Sequence, residues 1–241
     1  MSPSTTFTKN DAVPSDATFD PSNVKGKSVI ITGGASGIGE ATMRAFVQAG
    51  AFVTYGDVAE EKGQRLVAEL GEDKVAFVVC NEKEDPLTSH TNSFNQHCDV
   101  LSFSSQLNLF KTALSRSPSH TIDIVLANAG IGTRDEVFTQ GATHVTPDGD
   151  EEPLEPDLST LQVNITGVAY TVKLALFYLL KQPTASGRDR CLIITGSLAS
   201  YLDHLGHPQY NASKMAVRGM MKSLRHSMPK DGMRVNLLAP W

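Results

Sequence analysis

Three residues near the end of the sequence, Ser197, Tyr210 and Lys214, have the types and the spacing that proton transfer to an alcohol or a carbonyl requires. A phenol is a poor base at neutral pH, because its unperturbed pKa is about 10. A lysine four residues further along a helix lies on the same face, and its positive charge favours the phenolate. A serine at the end of a neighbouring strand can hydrogen-bond the same substrate oxygen. The plain alternative is that Tyr210 and Lys214 form a surface pair on a helix.

A glycine-rich turn in the first half of the chain has the context of a phosphate-binding loop. The apolar, β-branched run 28–32 predicts a buried parallel strand, and apolar residues recur at helical spacing from residue 38 onward. Glycines let the backbone approach a pyrophosphate, and a helix N-terminus offers free N–H groups. The candidate phosphate-binding residues between strand and helix are Gly33, Ser36, Gly37, Ile38 and Gly39.

Asp57 follows the next predicted strand at the distance expected of a ribose-binding acid. Its carboxylate can accept hydrogen bonds from the ribose hydroxyls of NAD, and its charge would repel the 2′-phosphate of NADP. No arginine flanks it to offset that repulsion. We therefore expect NAD rather than NADP. The alternative, which does not exclude the first role, is that Asp57 caps the following helix.

Strands alternate with helices along the chain, which predicts a Rossmann-type doubly wound parallel sheet with helices on both faces, a three-layer α/β/α fold. Ligands of such sheets bind beyond the carboxyl ends of the strands, where Gly33, Asp57, Asn128 and Ser197 fall. A flexible tail of residues 1–23 would precede a single domain of residues 24–241. The predicted strands are 28–32, 51–55, 74–79, 122–127, 190–195 and 233–238, and the predicted helices are 37–49, 59–70, 103–115, 156–181 and 208–227.

Taken together, these residues resemble the short-chain dehydrogenase/reductase family, from about Val24 to Pro240 and in the classical form. Within the family, the sequence is most similar in general character to fungal members that resemble 15-hydroxyprostaglandin dehydrogenase. The family's motifs match in order at Thr32 to Gly39, at Asn128, Ala129 and Gly130, at Asn164, at Ser197, Tyr210 and Lys214, and at Arg234 to Pro240.

The resemblance implies an NAD-dependent oxidoreductase that moves a hydride between the nicotinamide and a secondary alcohol or ketone. Tyr210 would be the general acid/base, and Lys214 would lower its pKa and bind the nicotinamide ribose. Ser197 would orient the substrate oxygen, and Asn164 would fix a water that links Lys214 to solvent. The cofactor would further contact Asn128, Ala129, Gly130 and an acid after the third strand, here Asp99.

Structural alternatives stand beside several of these roles. Ser197 can be a strand-end cap, Asn164 can be an amide that kinks its helix, and Asn128 can simply tie adjacent strands together. His204 and His207 can line the pocket, although we favour loop histidines at the surface. The neighbouring residues that we set aside as decoys are Ser200, Tyr201 and Ser213.

Composition narrows the classes of function. A net charge of −5 without a basic run argues against nucleic-acid binding. The three cysteines give no disulfide framework and predict a reducing compartment, the cytoplasm. The first 23 residues lack the apolar segment of a secretory signal, and we expect no 18-residue apolar span, hence no membrane partner.

The chain departs from the family pattern in two places. Segment 81–98 is polar and aperiodic, and removing it joins strand 74–79 to Asp99 as the family would have it. We interpret it as a retained intron or gene-model artefact, or otherwise as a surface loop. Its histidines and the flanking Cys80 and Cys98 match no common zinc spacing, so we predict no metal. The second departure is the end at Trp241, where family members continue into a segment that covers the substrate.

Two functions from different classes remain. The first is a short-chain dehydrogenase acting on a small-molecule alcohol or ketone, which the resemblance predicts to be a homodimer or homotetramer when full length. The rival is a non-catalytic nucleotide-binding or scaffold protein of the same fold. The insertion and the early end favour the rival, and the set of Asn164, Ser197, Tyr210 and Lys214 favours the enzyme.

Overall fold

A computed structural model describes residues 20–79, 100–132, 143–182 and 189–241. The predicted tail, apart from residues 20–23, lies outside the described residues, and so do segment 81–98, Cys80 and Asp99. Of the tail, Pro21–Val24 form a short 3₁₀ helix capped by Asp20, and Val24 is buried.

Six parallel strands form one sheet in the order β3-β2-β1-β4-β7-β8, which confirms the predicted Rossmann-type fold. Consecutive strands on either side of β1 run outward in opposite directions, so the order reverses between β1 and β4. The strands of the sheet are β1 Ser28–Thr32, β2 Phe52–Asp57, β3 Val75–Val79, β4 Ile124–Ala127, β7 Arg190–Thr195 and β8 Met233–Leu238.

Helices cover both faces of this sheet because its strands are apolar on both sides. Met43 of α1 and Leu66 of α2 pack with Ile31 and Tyr55 on one face. The second core lies on the opposite face, between the sheet and α3, α5 and α6. The helices are α1 Gly37–Gln48, α2 Glu60–Leu70, α3 Phe103–Arg116, α4 Ser159–Leu161, α5 Val168–Lys181 and α6 Pro208–Ser227.

The predicted helix over 156–181 begins at Ser159 and contains a π-helical turn, Gln162–Gly167, between α4 and α5. Gly167 lies so close to Val100 that an added Cβ would come within 2.5 Å of its Cγ2 atom. The Gly167 carbonyl accepts hydrogen bonds from the side chains of Gln106 and Thr171, at 2.9 and 3.1 Å. Wide turns of this kind are frequent at functional sites, and this one carries Asn164.

The prediction that no 18-residue apolar span exists is wrong. The helical stretch Ser159–Lys181 is long and apolar enough to cross a membrane by length and composition, with a mean hydropathy of 1.5. However, 50% of the apolar 18-residue segment within this stretch is buried inside the protein. Leu174, Ala175 and Leu179 of the stretch belong to the main core. The stretch therefore has the burial of a core helix, which meets the same length and composition criteria.

A small hairpin was not predicted. Thr143–Val145 (β5) pairs antiparallel with Glu151–Pro153 (β6). All six residues are exposed, so the strands bury no apolar face that a sequence pattern could reveal.

Candidate active site

The carboxyl ends of β1, β2, β4 and β7 open into one cavity of about 850 Å³. Gly39 and Asn164 do not line it, and Asp99 lies outside the described residues. The predicted site residues that line the cavity are Gly33, Ser36, Gly37, Ile38, Asp57, Asn128, Ala129, Gly130, Ser197, Tyr210 and Lys214. The structure therefore brings together most of the site that the sequence predicted.

The glycine turn leaves one wall of the cavity open to a ligand. Gly33 has a φ of +69°, and a Cβ added to it would lie 2.9 Å from the Cα atom of Ala129. Ser36 is the N-cap of α1, yet its hydroxyl makes no capping hydrogen bond. Ile38, in the first turn of that helix, is 46% exposed although apolar. A close backbone, a helix N-terminus and an uncovered apolar side chain fit the pyrophosphate and adjoining rings of a dinucleotide.

Asp57 ends β2 and lines the cavity, and 7% of the residue's surface is exposed. One oxygen accepts the N–H of Ala35 at 2.9 Å, and the other accepts the N–H of Ala59 at 3.1 Å. The N-cap of α2 is Ala59, so the predicted capping role is wrong in position, although the carboxylate does bind an N–H at the start of that helix. A carboxylate has about four acceptor sites, which leaves capacity for ribose hydroxyls.

Asn128 ties strand ends together, as its structural alternative proposed. Its Nδ2 atom donates to the carbonyls of Thr32 and Gly33, both at 3.2 Å, and its Oδ1 atom accepts the Thr195 hydroxyl at 3.3 Å. Thr32 adds two hydrogen bonds between the same strand ends, because its Oγ1 atom accepts the N–H groups of Asn128 and Ala129. The amide thus fixes the carboxyl ends of β1, β4 and β7 relative to one another.

Tyr210 and Lys214 lie on α6 and both line the cavity, so they are not a surface pair. Within the part of the chain that the structure describes, the Tyr210 hydroxyl makes no hydrogen bond, so its proton and lone pairs are available. Lys214 is 4% exposed, and its ammonium lies 5.5 Å from the centre of the Tyr210 ring and donates to the Thr195 carbonyl at 3.2 Å. Burial lowers the pKa of Lys214 to about 8.

The fully buried amide of Asn164 connects the loop after β4 to α6. Its Oδ1 atom accepts the Ile131 N–H at 2.8 Å, and its Nδ2 atom donates to the Ile131 carbonyl at 2.8 Å and to the Ser213 hydroxyl at 3.0 Å. The side chain therefore has no donor left for a water. Its predicted part in a water relay stays a prediction.

Ser213, which we set aside as a decoy, is a positioning residue. Besides accepting from Asn164, its hydroxyl donates to the main-chain carbonyl of Tyr210 at 2.7 Å. Sequence reasoning missed it because its partner lies 49 residues away, and no local pattern carries that information.

Ser197 follows the end of β7 and is the N-cap of a 3₁₀ turn, Leu198–Ser200. Its hydroxyl accepts the Ala199 N–H at 3.2 Å, while the Ser200 hydroxyl accepts the Ser197 N–H at the same distance. Both proposed roles of Ser197 are therefore compatible, because the capping hydroxyl keeps its proton for a substrate oxygen. Ser200 completes the cap, and Tyr201 is exposed and packs against Arg218.

His204 and His207 also line the cavity, against our preference for surface histidines, although His204 is exposed as well. Of the chain that follows β4, Ile131 and Gly132 line the cavity, and the exposed β5–β6 hairpin does not reach it. No group of three or more potential metal ligands occurs in the described ranges, and the histidines of segment 81–98 lie outside them.

The chain belongs to the short-chain dehydrogenase family, whose model matches residues 27–241. It is therefore an oxidoreductase by family. It is 37% identical over 230 residues to a 5'-hydroxyaverantin dehydrogenase of Dothistroma septosporum, covering 92% of this chain and 69% of that protein. The corresponding dehydrogenase of Emericella nidulans is 34% identical over 239 residues, with coverage of 95% and 70%.

A plant relative and a solved structure extend the comparison. Tropinone reductase-like 1 of Erythroxylum coca is 31% identical over 218 residues, covering 90% of this chain and 68% of that protein. The crystal structure of a 3-ketoacyl-(acyl-carrier-protein) reductase from Brucella melitensis complexed with NADH superposes with a TM-score of 0.70, at 23% identity, over 90% of this chain and 76% of that one. The structural likeness shows the shared fold.

Replacing Ser213 with alanine should lower the free energy of unfolding by about 1–2 kcal/mol, because a buried Asn164 N–H loses its acceptor. Urea unfolding measures the change. Ser223→Ala, on the exposed side of the same helix, is the matched control and should stay within about 0.5 kcal/mol of the wild type. Equal effects of the two substitutions would contradict the positioning role of Ser213.

The Lys214→Met variant should be more stable than the wild type at pH 7. Below about pH 8, Lys214 is charged in both folded and unfolded states, and burying the charge costs roughly 3 kcal/mol. Between about pH 8 and the ordinary lysine pKa of 10.5 the unfolded state binds more protons, so the wild type gains stability as pH rises. Urea unfolding across this range should show the advantage of the variant disappearing.

The exposed Lys222 of the same helix provides the control for that experiment. The Lys222→Met protein reports how the remaining groups respond to pH. A constant difference between the wild type and Lys214→Met, or a less stable Lys214→Met at pH 7, would contradict the cost assigned to the buried ammonium.

Proposed function

We propose that this protein is an NAD-dependent alcohol dehydrogenase or ketone reductase that acts on a secondary alcohol or its ketone. The observation that carries the proposal is that Tyr210, whose hydroxyl makes no hydrogen bond to the described residues, lines one cavity with the buried Lys214, Ser197 and the N-terminus of α1. A phenol beside a buried cation, facing a dinucleotide-sized space, is suited to proton exchange with a bound alcohol or ketone.

Each polar group has a distinct part in this reaction. Tyr210 exchanges the proton with the substrate oxygen, and the Lys214 ammonium stabilises the phenolate that remains when the proton leaves. At pH 7 that ammonium stays mostly protonated, because the pKa of Lys214 is about 8. Ser197 donates a hydrogen bond to the same oxygen, which holds it against Tyr210. Ser213 and Asn164 keep α6 in register with the loop after β4.

The residues present fit a nicotinamide dinucleotide, which when bound supplies or accepts the hydride. Gly33, Ser36, Gly37 and Ile38 would hold the pyrophosphate side, and Asp57 the ribose hydroxyls. Lys214 and the Ala129–Gly130 backbone would hold the nicotinamide side. Asp99 stays a predicted contact to the adenine.

NAD rather than NADP is favoured by charge. The Asp57 carboxylate lies at the cavity wall, and no arginine is among the described lining residues. A 2′-phosphate would meet that negative charge without compensation.

The names of relatives bear on the substrate. Two are called 5'-hydroxyaverantin dehydrogenases, and these names support a hydroxyl group of the substrate as the group that is oxidised. The finer resemblance to 15-hydroxyprostaglandin dehydrogenase-like members stays a prediction, as do the cytoplasmic location and the homodimer or homotetramer. A non-catalytic nucleotide-binding protein is less well supported, because such a protein has no need of a buried lysine beside an unbonded tyrosine.

Tyr210→Phe should reduce turnover at least about a hundredfold, because the ring remains but no proton can be exchanged. NADH formation with a panel of secondary alcohols gives the rate, and quenching of protein fluorescence by NADH gives cofactor affinity, which should survive. Tyr201→Phe, an exposed tyrosine outside the cavity, is the matched control. Retained turnover in Tyr210→Phe would defeat the mechanism, and NADH binding without turnover in the wild type would favour the rival function.

Asp57→Asn should raise the NADPH-to-NADH affinity ratio about tenfold, because it removes one repulsive charge and keeps a hydrogen-bond acceptor. Fluorescence titration with the two cofactors measures the ratio. Asp73→Asn, on an exposed turn away from this cavity, should leave it unchanged. An Asp57→Asn protein with the wild-type ratio would refute the assignment of Asp57 as the residue that selects NAD.

A further inference from the structure

A stacked pair of imidazoles, His204 and His207, lies in the sequence between Ser197 and Tyr210. The rings of His204 and His207 are 4.6 Å apart between centroids and only 8° from parallel. Both residues line the cavity that holds Ser197 and Tyr210.

A turn and two hydrogen bonds of the surrounding backbone fix the positions of His204 and His207. The chain turns at Leu205-Gly206, where Gly206 has a φ of +81°, and this turn brings the two rings face to face. Asn211 of α6 donates its Nδ2 hydrogen to the His204 carbonyl at 2.9 Å and its N–H to the His207 carbonyl at 2.9 Å. The loop is therefore attached at both histidines to the helix that carries Tyr210.

Folding does not use the rings themselves. His207 is the N-cap of α6, but its side chain makes no capping hydrogen bond. Neither imidazole hydrogen-bonds another residue in the described ranges, and no metal-ligand cluster occurs there. Two stacked aromatic rings that line the same cavity as Ser197 and Tyr210 are therefore available to a ligand.

The surface next to the pair is apolar. Leu198 and Leu202 line the same part of the loop, and Leu202 is 54% exposed. A stack of two rings has two outer faces, and His204 is exposed. Flat aromatic groups stack on such faces in offset geometry and gain affinity beyond the area they bury.

We propose that His204 and His207 determine substrate specificity by stacking with a planar aromatic ring that the substrate carries beside its reacting alcohol or ketone. The inference rests on the proposed function, because it assigns the substrate class of the same cavity. Tyr210 and Ser197 act on the oxygen, and the imidazole pair selects the group attached to the reacting carbon.

A pair of ketones that differ only in the planarity of the ring tests this. Calorimetric titration of the protein–NADH complex with acetophenone and with cyclohexyl methyl ketone gives the ratio of their dissociation constants. The wild type should prefer acetophenone roughly three- to tenfold. The double variant His204→Leu/His207→Leu should lose that preference, whereas His204→Phe/His207→Phe should keep it, because phenylalanine retains a flat ring.

Matched variants separate recognition from folding. His204→Leu alone leaves the start of α6 intact and should lose part of the preference. His144→Leu, on the exposed hairpin outside the cavity, should keep all of it, and NADH quenching confirms that each variant is folded. The inference is overturned if the wild type binds neither ketone or shows no preference, if the leucine variants keep the preference, or if the phenylalanine variant loses it.

Turnover of 1-phenylethanol with NAD is measured separately. Absence of turnover together with a histidine-dependent preference in binding would contradict the proposed oxidoreductase reaction while supporting the recognition surface. Turnover without that preference would do the reverse.

Discussion

The buried amide of Asn164 is the contact on which the arrangement of the site depends. It joins the backbone of Ile131, just after β4, to the Ser213 hydroxyl on α6, and Ser213 in turn holds the Tyr210 carbonyl. Water cannot replace these partners at a fully buried position, so any displacement leaves polar atoms unpaired. Together with the hydrogen bond from Lys214 to the Thr195 carbonyl, this connection holds Tyr210 and Lys214 against the strand ends.

The electrostatics of the site work against stability and for chemistry. Lys214 is buried next to the Tyr210 ring, with the Thr195 carbonyl as its hydrogen-bond acceptor, and burial lowers its pKa to about 8. A buried ammonium disfavours the folded state, yet it is the group that can stabilise a phenolate beside it. Strongly shifted groups of this kind collect at functional sites because the shift is part of the function.

Sequence patterns predicted the sheet, its major helices and part of the cavity lining, because strand–turn–helix periodicity and motif spacing are local properties. Their errors have physical causes. The residues of the β5–β6 hairpin are all exposed, the π-helical turn lies where Gly167 packs closely on Val100, and Ser213 acts across 49 residues.

By itself, the sequence determined the family, the Rossmann-type fold and the candidates for phosphate binding, ribose binding and proton transfer, since each depends on residue types at short spacing. Tertiary structure decided what those residues are free to do. It showed that the amides of Asn128 and Asn164 are occupied by protein partners, and that the Tyr210 hydroxyl makes no hydrogen bond to the residues that the structure describes. It also turned His204 and His207 into a stacked pair in the cavity. Hydrogen-bond occupancy and ring contact arise between distant segments, so only the folded chain specifies them.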